Sequence, residues 1–428
     1  TPGSSLIRGS TALFRVKTKL QFGKLTATAL VSQQNSESKS VSSRGGAQTT
    51  KFTVNADEYD QNRHYFLGQF FREHYDEFAS KLPLVTSGIN ITRIEVWITN
   101  KSNRFDQSRN IVAFMDLGEE NRLASDHWVP NPQYPNPANA SNNLLASIKA
   151  DYPGARQIST VTQALEPLAA YDIEGGRDYE KVESARLLSS NEYTLNPTLG
   201  YISVRSALNA DEVLAVAYEY TYRGQVYQVG EFSGDITTTD QSLYVKMLKS
   251  TTVAPRLPMW DLMMKNVYNL GGYQVQKNKF KLNIKYLSDT TGTAINYLPV
   301  PGINNKPILQ LMNLDRLDSN QESNSDGFFD FIEGYTIIPS TGKVIFPVVE
   351  PFGSNLRKVI GNDMEAEKYV YQELYDSTLI VARQFADKNK FILEGEYQAS
   401  SGSQIRPNAM NVPRGSVVET AGGGTPTE

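Results

Sequence analysis

The chain has no cysteine and only three histidines, His64, His74 and His127. The first absence excludes disulfides, cysteine-ligated zinc, iron–sulfur clusters and thiol nucleophiles, and it is compatible with an oxidising compartment without proving one. None of the histidines stands in a His-Glu-x-x-His pattern or beside a serine on a nucleophile elbow, so His64 and His74 are expected at an interface or surface rather than in catalysis. No apolar run reaches the ~18 residues of a membrane-spanning helix, and no signal-peptide pattern opens the sequence. Positive charge is also not in excess. The 42 Lys and Arg against 46 Asp and Glu leave a formal charge of −4, without the concentrated basic face that nucleic acid requires, and no nucleic-acid partner is expected.

What is present describes a folded, β-leaning body. The sequence has 23 Tyr, 18 Phe, 30 Gly and 20 Pro in 428 residues, a composition rich in strand formers and turn formers. At about 100–200 residues per domain the length holds two to four domains. The opening Thr-Pro-Gly-Ser-Ser and the closing Gly-Gly-Gly-Thr-Pro-Thr-Glu read as the ends of a piece of something longer.

Residues 13–33 alternate. Phe14, Val16, Thr18, Leu20 and Phe22 face one way, and Arg15, Lys17, Lys19 and Gln21 face the other. Gly23-Lys24 can make a two-residue turn, after which Leu25, Ala27, Ala29 and Val31 continue the alternation. Two strands of about 9–11 residues with one apolar face suit an outer-membrane barrel hairpin, and a soluble hairpin shows the same pattern. In a barrel, Arg15, Lys17 and Lys19 belong in the lumen, since each would cost roughly 2–4 kcal/mol on the lipid face at mid-depth.

Beyond a polar loop at 34–50, Leu67, Phe71, Tyr75 and Phe78 at helical spacing predict a helix over 65–82. Strands are expected at 89–99 and 109–116, helices near 143–151 and 156–166, and a hairpin of 212–222 with 225–232 around Arg223-Gly224. A helix is expected over 257–270 and more helix within 355–379. One phrase recurs: Tyr193-Thr194 followed by Pro197 and Gly200 matches Tyr335-Thr336 followed by Pro339 and Gly342. It reads either as a duplicated β-module or as two unrelated Pro-to-Gly hairpins. The expected fold class is α+β, predominantly β. A barrel-strand hairpin at 1–36 leads to a mixed α/β insert at 37–170, β-rich modules at 171–250 and 251–350, and an α+β segment at 351–428.

Chemistry-bearing constellations are few. Glu322, Asn324, Asp326, Asp330 and Glu333 place oxygens at positions 1, 3, 5, 9 and 12 of a loop with Gly327 at position 6, as in a calcium loop. Against calcium stand the Glu at position 1 and the strand-like Gly334-Tyr335-Thr336 that follows. Asp57-Glu58 and Glu119-Glu120 are acidic neighbours whose separation would decide whether either is a catalytic pair; solvated charge is the expected role. Trp97, Trp128 and Trp260 suit either a binding face or, more commonly, the core. No cofactor is required and no catalytic residue is expected.

Several longer phrases carry a family resemblance. Ser5-Leu6-Ile7-Arg8-Gly9-Ser10, Leu20 to Leu25, Gly45-Gly46-Ala47-Gln48, Asn62-Arg63-His64-Tyr65-Phe66-Leu67, Phe70 to Tyr75, Arg93 to Asn100, and the stretch of 209–220 resemble the SprA (Sov) family. That family is the outer-membrane translocon of type IX secretion and gliding motility. The resemblance implies a segment of a giant protein-conducting channel. Its partners would be secreted cargo, other secretion subunits and, through the hairpin, the lipid bilayer. Tight turns of outer-membrane barrels lie on the periplasmic side. With Gly23-Lys24 as such a turn, the inserts would sit outside the cell as part of a cap, where Lys246 and Lys390 would report sidedness by labelling. A surface β-sandwich protein that binds glycan or protein partners is the alternative.

Overall fold

A computed structural model describes residues 49–399, apart from 103–104, 121–122, 124, 135–136 and 237, and the backbone of two earlier strands. The chain divides into two compact bodies, residues 1–50 with 398–428 and residues 51–397. Strand outweighs helix, 30% to 19%, and no described helix is long and apolar enough to cross a membrane.

In the first body, β1 (Leu13–Phe22) and β2 (Leu25–Gln34) form an antiparallel pair. Their register runs from Leu13 opposite Gln34 to Phe22 opposite Leu25, which leaves two residues between them. Gly23-Lys24, the loop of 35–48 and the side chains of Arg15, Lys17 and Lys19 lie outside the described residues. An outer-membrane barrel is not shown by the described residues.

The second body begins with β3 (Thr49–Asn55), β4 (His64–Phe66), α1 (Gln69–Phe78), β5 (Ile89–Ile98) and β6 (Ser108–Phe114). Helix α2 (Leu144–Asp151) follows, then β7 (Tyr179–Leu187), the hairpin of β8 (Tyr193–Asn196) with β9 (Tyr201–Val204), β10 (Leu214–Tyr222), β11 (Gln225–Val229) and β12 (Leu243–Lys249). Five of these strands close on themselves in the order β5, β10, β12, β6, β7 and back to β5. Closure works because β10 changes partner along its length: Leu214 to Val216 pair with β12, whereas Tyr218 to Tyr222 pair with β11. Arg223 and Gly224, at φ 49° and 76°, make the two-residue turn between β10 and β11 with the positive φ angles that match strand twist. β12 runs parallel to β6, and every residue of β12 is buried, as befits a parallel pair covered on both faces.

The later chain supplies β13 (Val267–Asn269), β14 (Lys281–Leu287), β15 (Ala294–Ile295), the hairpin of β16 (Ile337–Ile338) with β17 (Lys343–Ile345), and β18 (Phe391–Gln398). These strands repeat the arrangement of the first half. Leu67 N–H donates to Gly200 C=O at 3.0 Å, and Leu270 N–H donates to Gly342 C=O at 2.9 Å. Ile91 N–H reaches Pro197 C=O as Val275 N–H reaches Pro339 C=O, both at 3.0 Å. Arg93 faces Glu219 across β5 and β10, and Lys281 faces Glu396 across β14 and β18. The first half closes into a barrel, while the second remains an open sheet in the order β15, β14, β18, β3.

Two expected helices fall short for identifiable reasons. Residues 64–66 join the β9 sheet with Tyr65 opposite Ile202, so the helix predicted over 65–82 starts only at Gln69. It still buries Phe71, Tyr75 and Phe78 on one face. Within 257–270, only Pro258–Leu262 turns helically. Asn266 then spends its side-chain amide on the Phe346 and Val348 carbonyls, and Tyr268 pairs with Val344. These contacts claim the backbone for β-structure despite its helical spacing.

Candidate functional site: the polar seam between the two halves

Asp60 stands where the two halves meet. Its N–H donates to Val267 C=O at 2.8 Å, which ties residues 59–60 to β13, while β4 four residues on is paired with β9. The carboxylate gathers three cations or donors: Arg63 Nε at 3.1 Å, His64 Nε2 at 2.9 Å and Lys343 Nζ of β17 at 2.5 Å. On the other side of the imidazole, Nδ1 lies 2.6 Å from Ser203 Oγ of β9. An ionised carboxylate only accepts, so Nε2 carries the ring proton, Nδ1 accepts, and Ser203 O–H donates.

Burial raises the Asp60 carboxyl, but the hydrogen bond from His64 and the charge and hydrogen bond of Lys343 outweigh it and hold the group down at about 2. Burial lowers His64, with Lys343 and Arg63 adding to it, and the Asp60 hydrogen bond only partly opposes this. The imidazole is therefore kept neutral. Ser, His and Asp stand here in the order of a nucleophilic relay. A nucleophile also needs a reacting atom within ~3 Å and donors for the developing charge. His64 has no exposed surface and Ser203 very little, so the three groups act as a clamp between β9, residue 60 and β17.

The clamp is one of several bonds across the same seam. Arg72 meets Glu350 at 2.8 Å, Asp76 accepts from Val349 N–H at 2.7 Å, and Trp260 Nε1–H donates to Tyr375 C=O at 2.5 Å. Lys265 is buried with no carboxylate in contact among the described residues, and its ammonium donates to Trp260 C=O at 3.1 Å. Burial brings it down to about 8.

The carboxylates singled out by the sequence go to separate places. Glu119 accepts from Gln69 N–H and pairs with the buried Lys246 at 2.5 Å. Glu120 is pushed up to about 7, by burial first and then by Glu119 and Glu73. Asp57 pairs with Arg383, and Glu58 accepts from Asn55 N–H. Of the calcium-loop residues, Glu322, Asn324, Asp326 and Glu333 are exposed, whereas Asp330 turns inward. Its oxygens accept from the Arg316 and Leu317 N–H groups, and burial pushes its carboxyl up to about 6. Among the described residues no three His, Asp or Glu side chains gather where an ion would sit.

All three tryptophans are buried. His74 donates from Nδ1 to Phe70 C=O and His127 stacks on Tyr171. His64, expected at an interface or surface, is wholly internal. Lys246, picked as a labelling probe, is 1% exposed. Sequence reasoning missed Asp60, Ser203 and Lys343, which lie in two hairpins and a loop far apart in the chain. Their only local signal is the four-residue spacing of Asp60 and His64.

The profile of the SprA N-terminal family, described as motility related/secretion protein, matches residues 4–205. Over these residues, a little under half of the chain, the sequence is similar to the SprA family, which supports an SprA-family fragment. The match runs from ahead of the β1–β2 hairpin through α1 to the end of β9, and so takes in Asp60, His64 and Ser203 but not Lys343. No curated protein matches the chain significantly.

Proposed function

We propose that this chain is a segment of an outer-membrane protein-conducting channel, with residues 51–397 forming part of an extracellular cap over the pore. The match of residues 4–205 to the SprA N-terminal family supports a role in secretion and motility. The observation that carries the finer reading is the β1–β2 pair. Each strand is ten residues long with a two-residue connection, the length needed to cross a bilayer at barrel tilt. The seam adds a second argument, because a body that meets moving cargo needs halves that do not separate. Cargo proteins and other secretion subunits are the partners, and the bilayer is met through the hairpin.

The absence of cysteine makes the test direct. Lys277→Cys and Lys306→Cys place single thiols at exposed positions. A membrane-impermeant maleimide should modify both on intact cells. Modification only after the outer membrane is opened would put the cap on the periplasmic side, and unchanged export after deletion of 51–397 would remove it from the channel.

A further inference from the structure

The two halves differ at one strand edge. In the first half β12 runs antiparallel to β10, and its outer edge is filled by β6, which pairs in parallel from Leu243 opposite Ile111 to Lys246 opposite Phe114. In the second half β3 takes the place of β12: it is hydrogen-bonded to β18, the counterpart of β10. Ala56 N–H donates to Phe391 C=O at 3.0 Å, which sets β3 antiparallel to β18. Among the described residues nothing takes the place of β6, and β3 is the last strand of its sheet.

The polarity of that edge follows from alternation. Since Ala56 aims its N–H at β18, Val54 and Phe52 do the same, and Asn55, Thr53 and Lys51 aim theirs outward. Asn55 fits this, because its outward N–H is taken by the Glu58 carboxylate at 2.7 Å and its C=O by Glu58 N–H at 3.0 Å. Thr53 and Lys51 have no such local cap among the described residues. The exposed face beside them is basic. Lys51, Lys279 and Lys281 surround a single carboxylate, Glu396, which pairs with Lys281 at 2.7 Å and also feels Lys51 and Lys279.

We infer that the outer edge of β3 at Lys51 and Thr53 is a strand-addition site for a partner polypeptide. The guest runs parallel to β3 as β6 runs to β12, and carries acidic residues on the face that meets Lys51. Main-chain bonds to the Lys51 and Thr53 edge hold it, and Lys51, in a field made positive by Lys279 and Lys281, selects its charge. The first half contains its guest within the same chain, whereas the second half takes one from outside.

A labelled peptide of residues 106–116, which contains β6, serves as the probe, in its own sequence and with Glu in place of Arg109. The full chain should bind the Glu peptide saturably in fluorescence anisotropy, at least fivefold more tightly than the unaltered one. Amide exchange at Lys51 and Thr53 should slow on binding. Thr53→Pro, which removes an outward N–H and leaves the β18 bonds in place, should weaken binding at least tenfold. Lys51→Glu should reverse the charge preference and serves as the second test if the proline variant does not fold. No saturable binding, or binding indifferent to both variants, would overturn the site. Slow exchange at Lys51 and Thr53 in the chain alone would give the edge to this chain's own residues. Dimerisation lost in Thr53→Pro would make the occupant a second copy. Either result would overturn an outside partner.

Discussion

Tyr65 and Tyr268 occupy the same point in two copies of one small sheet: Tyr65 lies opposite Ile202 in the β4–β9 pair and Tyr268 opposite Val344 in the β13–β17 pair. Two residues on, Leu67 and Leu270 each bond to the glycine that opens the returning strand. The copies are joined at Asp60, whose backbone belongs with the second sheet while its carboxylate holds the histidine of the first. Rigidity across the seam therefore comes from a residue shared by both halves rather than from two finished surfaces in contact.

The glycines of the two hairpins should be equally intolerant of a side chain. Gly200 and Gly342 have φ of 70° and 62°. An added Cβ would lie 2.0 Å from the Phe71 ring at the first and 2.3 Å from Gly272 O at the second. Left-handed strain and overpacking together should cost about 2–4 kcal/mol in either Gly→Ala variant. Gly224→Ala, at φ 76° with open space around it, should cost only about 1 kcal/mol. Urea unfolding midpoints check this, and an equal cost at all three positions would sink it.

Lys246 and Glu119 should behave as a buried pair. Lys246 also donates to Met115 C=O, and both side chains are almost fully enclosed. Lys246→Met leaves Glu119 uncompensated and should cost about 3–5 kcal/mol. Adding Glu119→Leu should recover most of that loss, because an apolar pair of similar volume replaces both charges. A double variant no better than the single one would show that the pair is not what the barrel loses.

Much of this fold is written locally. Strands β5 and β6 and the β10–β11 hairpin lie within about three residues of where alternation and Arg223-Gly224 place them, because half-buried strands and tight turns leave period-two and glycine signatures. The helix expected at 257–270 is cut to Pro258–Leu262, since the backbone beyond it is taken by Val344 and Phe346, about 80 residues away. The Asp60, His64, Ser203 and Lys343 clamp was illegible for the same reason. Each residue is ordinary in its own segment, and only the pairing of β4 with β9 and the approach of β17 bring them together.

Chelation should leave the folded state unchanged. Asp330, the one calcium-loop candidate that is buried, already receives the Arg316 and Leu317 N–H groups on its carboxylate. A cation would have to displace them. Melting with excess EDTA and with millimolar calcium should agree within about 1 °C, whereas binding that stabilises by RT ln(1 + [L]/Kd) would separate the curves by several degrees.

Asp116 and Asp60 should pull stability in opposite directions with pH. Burial, aided by Glu119 and Asp178 and opposed by Lys246 and the Leu123 N–H, pushes the Asp116 carboxyl up to about 7 from 3.8. The folded state therefore binds this proton more tightly than the unfolded chain does. Its contribution is complete below about pH 4 and is lost as pH rises through 7. Asp60 is held at about 2, below its unfolded value, so its contribution is present above about pH 4 and lost as pH falls through 2. Asp116→Asn keeps an oxygen for the Leu123 N–H and cannot ionise. It should match the parent near pH 4 and exceed it at pH 8 by about 1–3 kcal/mol, since each tenfold difference in proton affinity between the folded and unfolded chain is worth about 1.36 kcal/mol. Asp60→Asn should be destabilising at pH 7 by a similar amount and approach the parent at pH 2. Urea midpoints across this range read both effects, and an Asp116→Asn variant weaker than the parent at pH 8 would show that the ionised carboxylate is compensated where it stands.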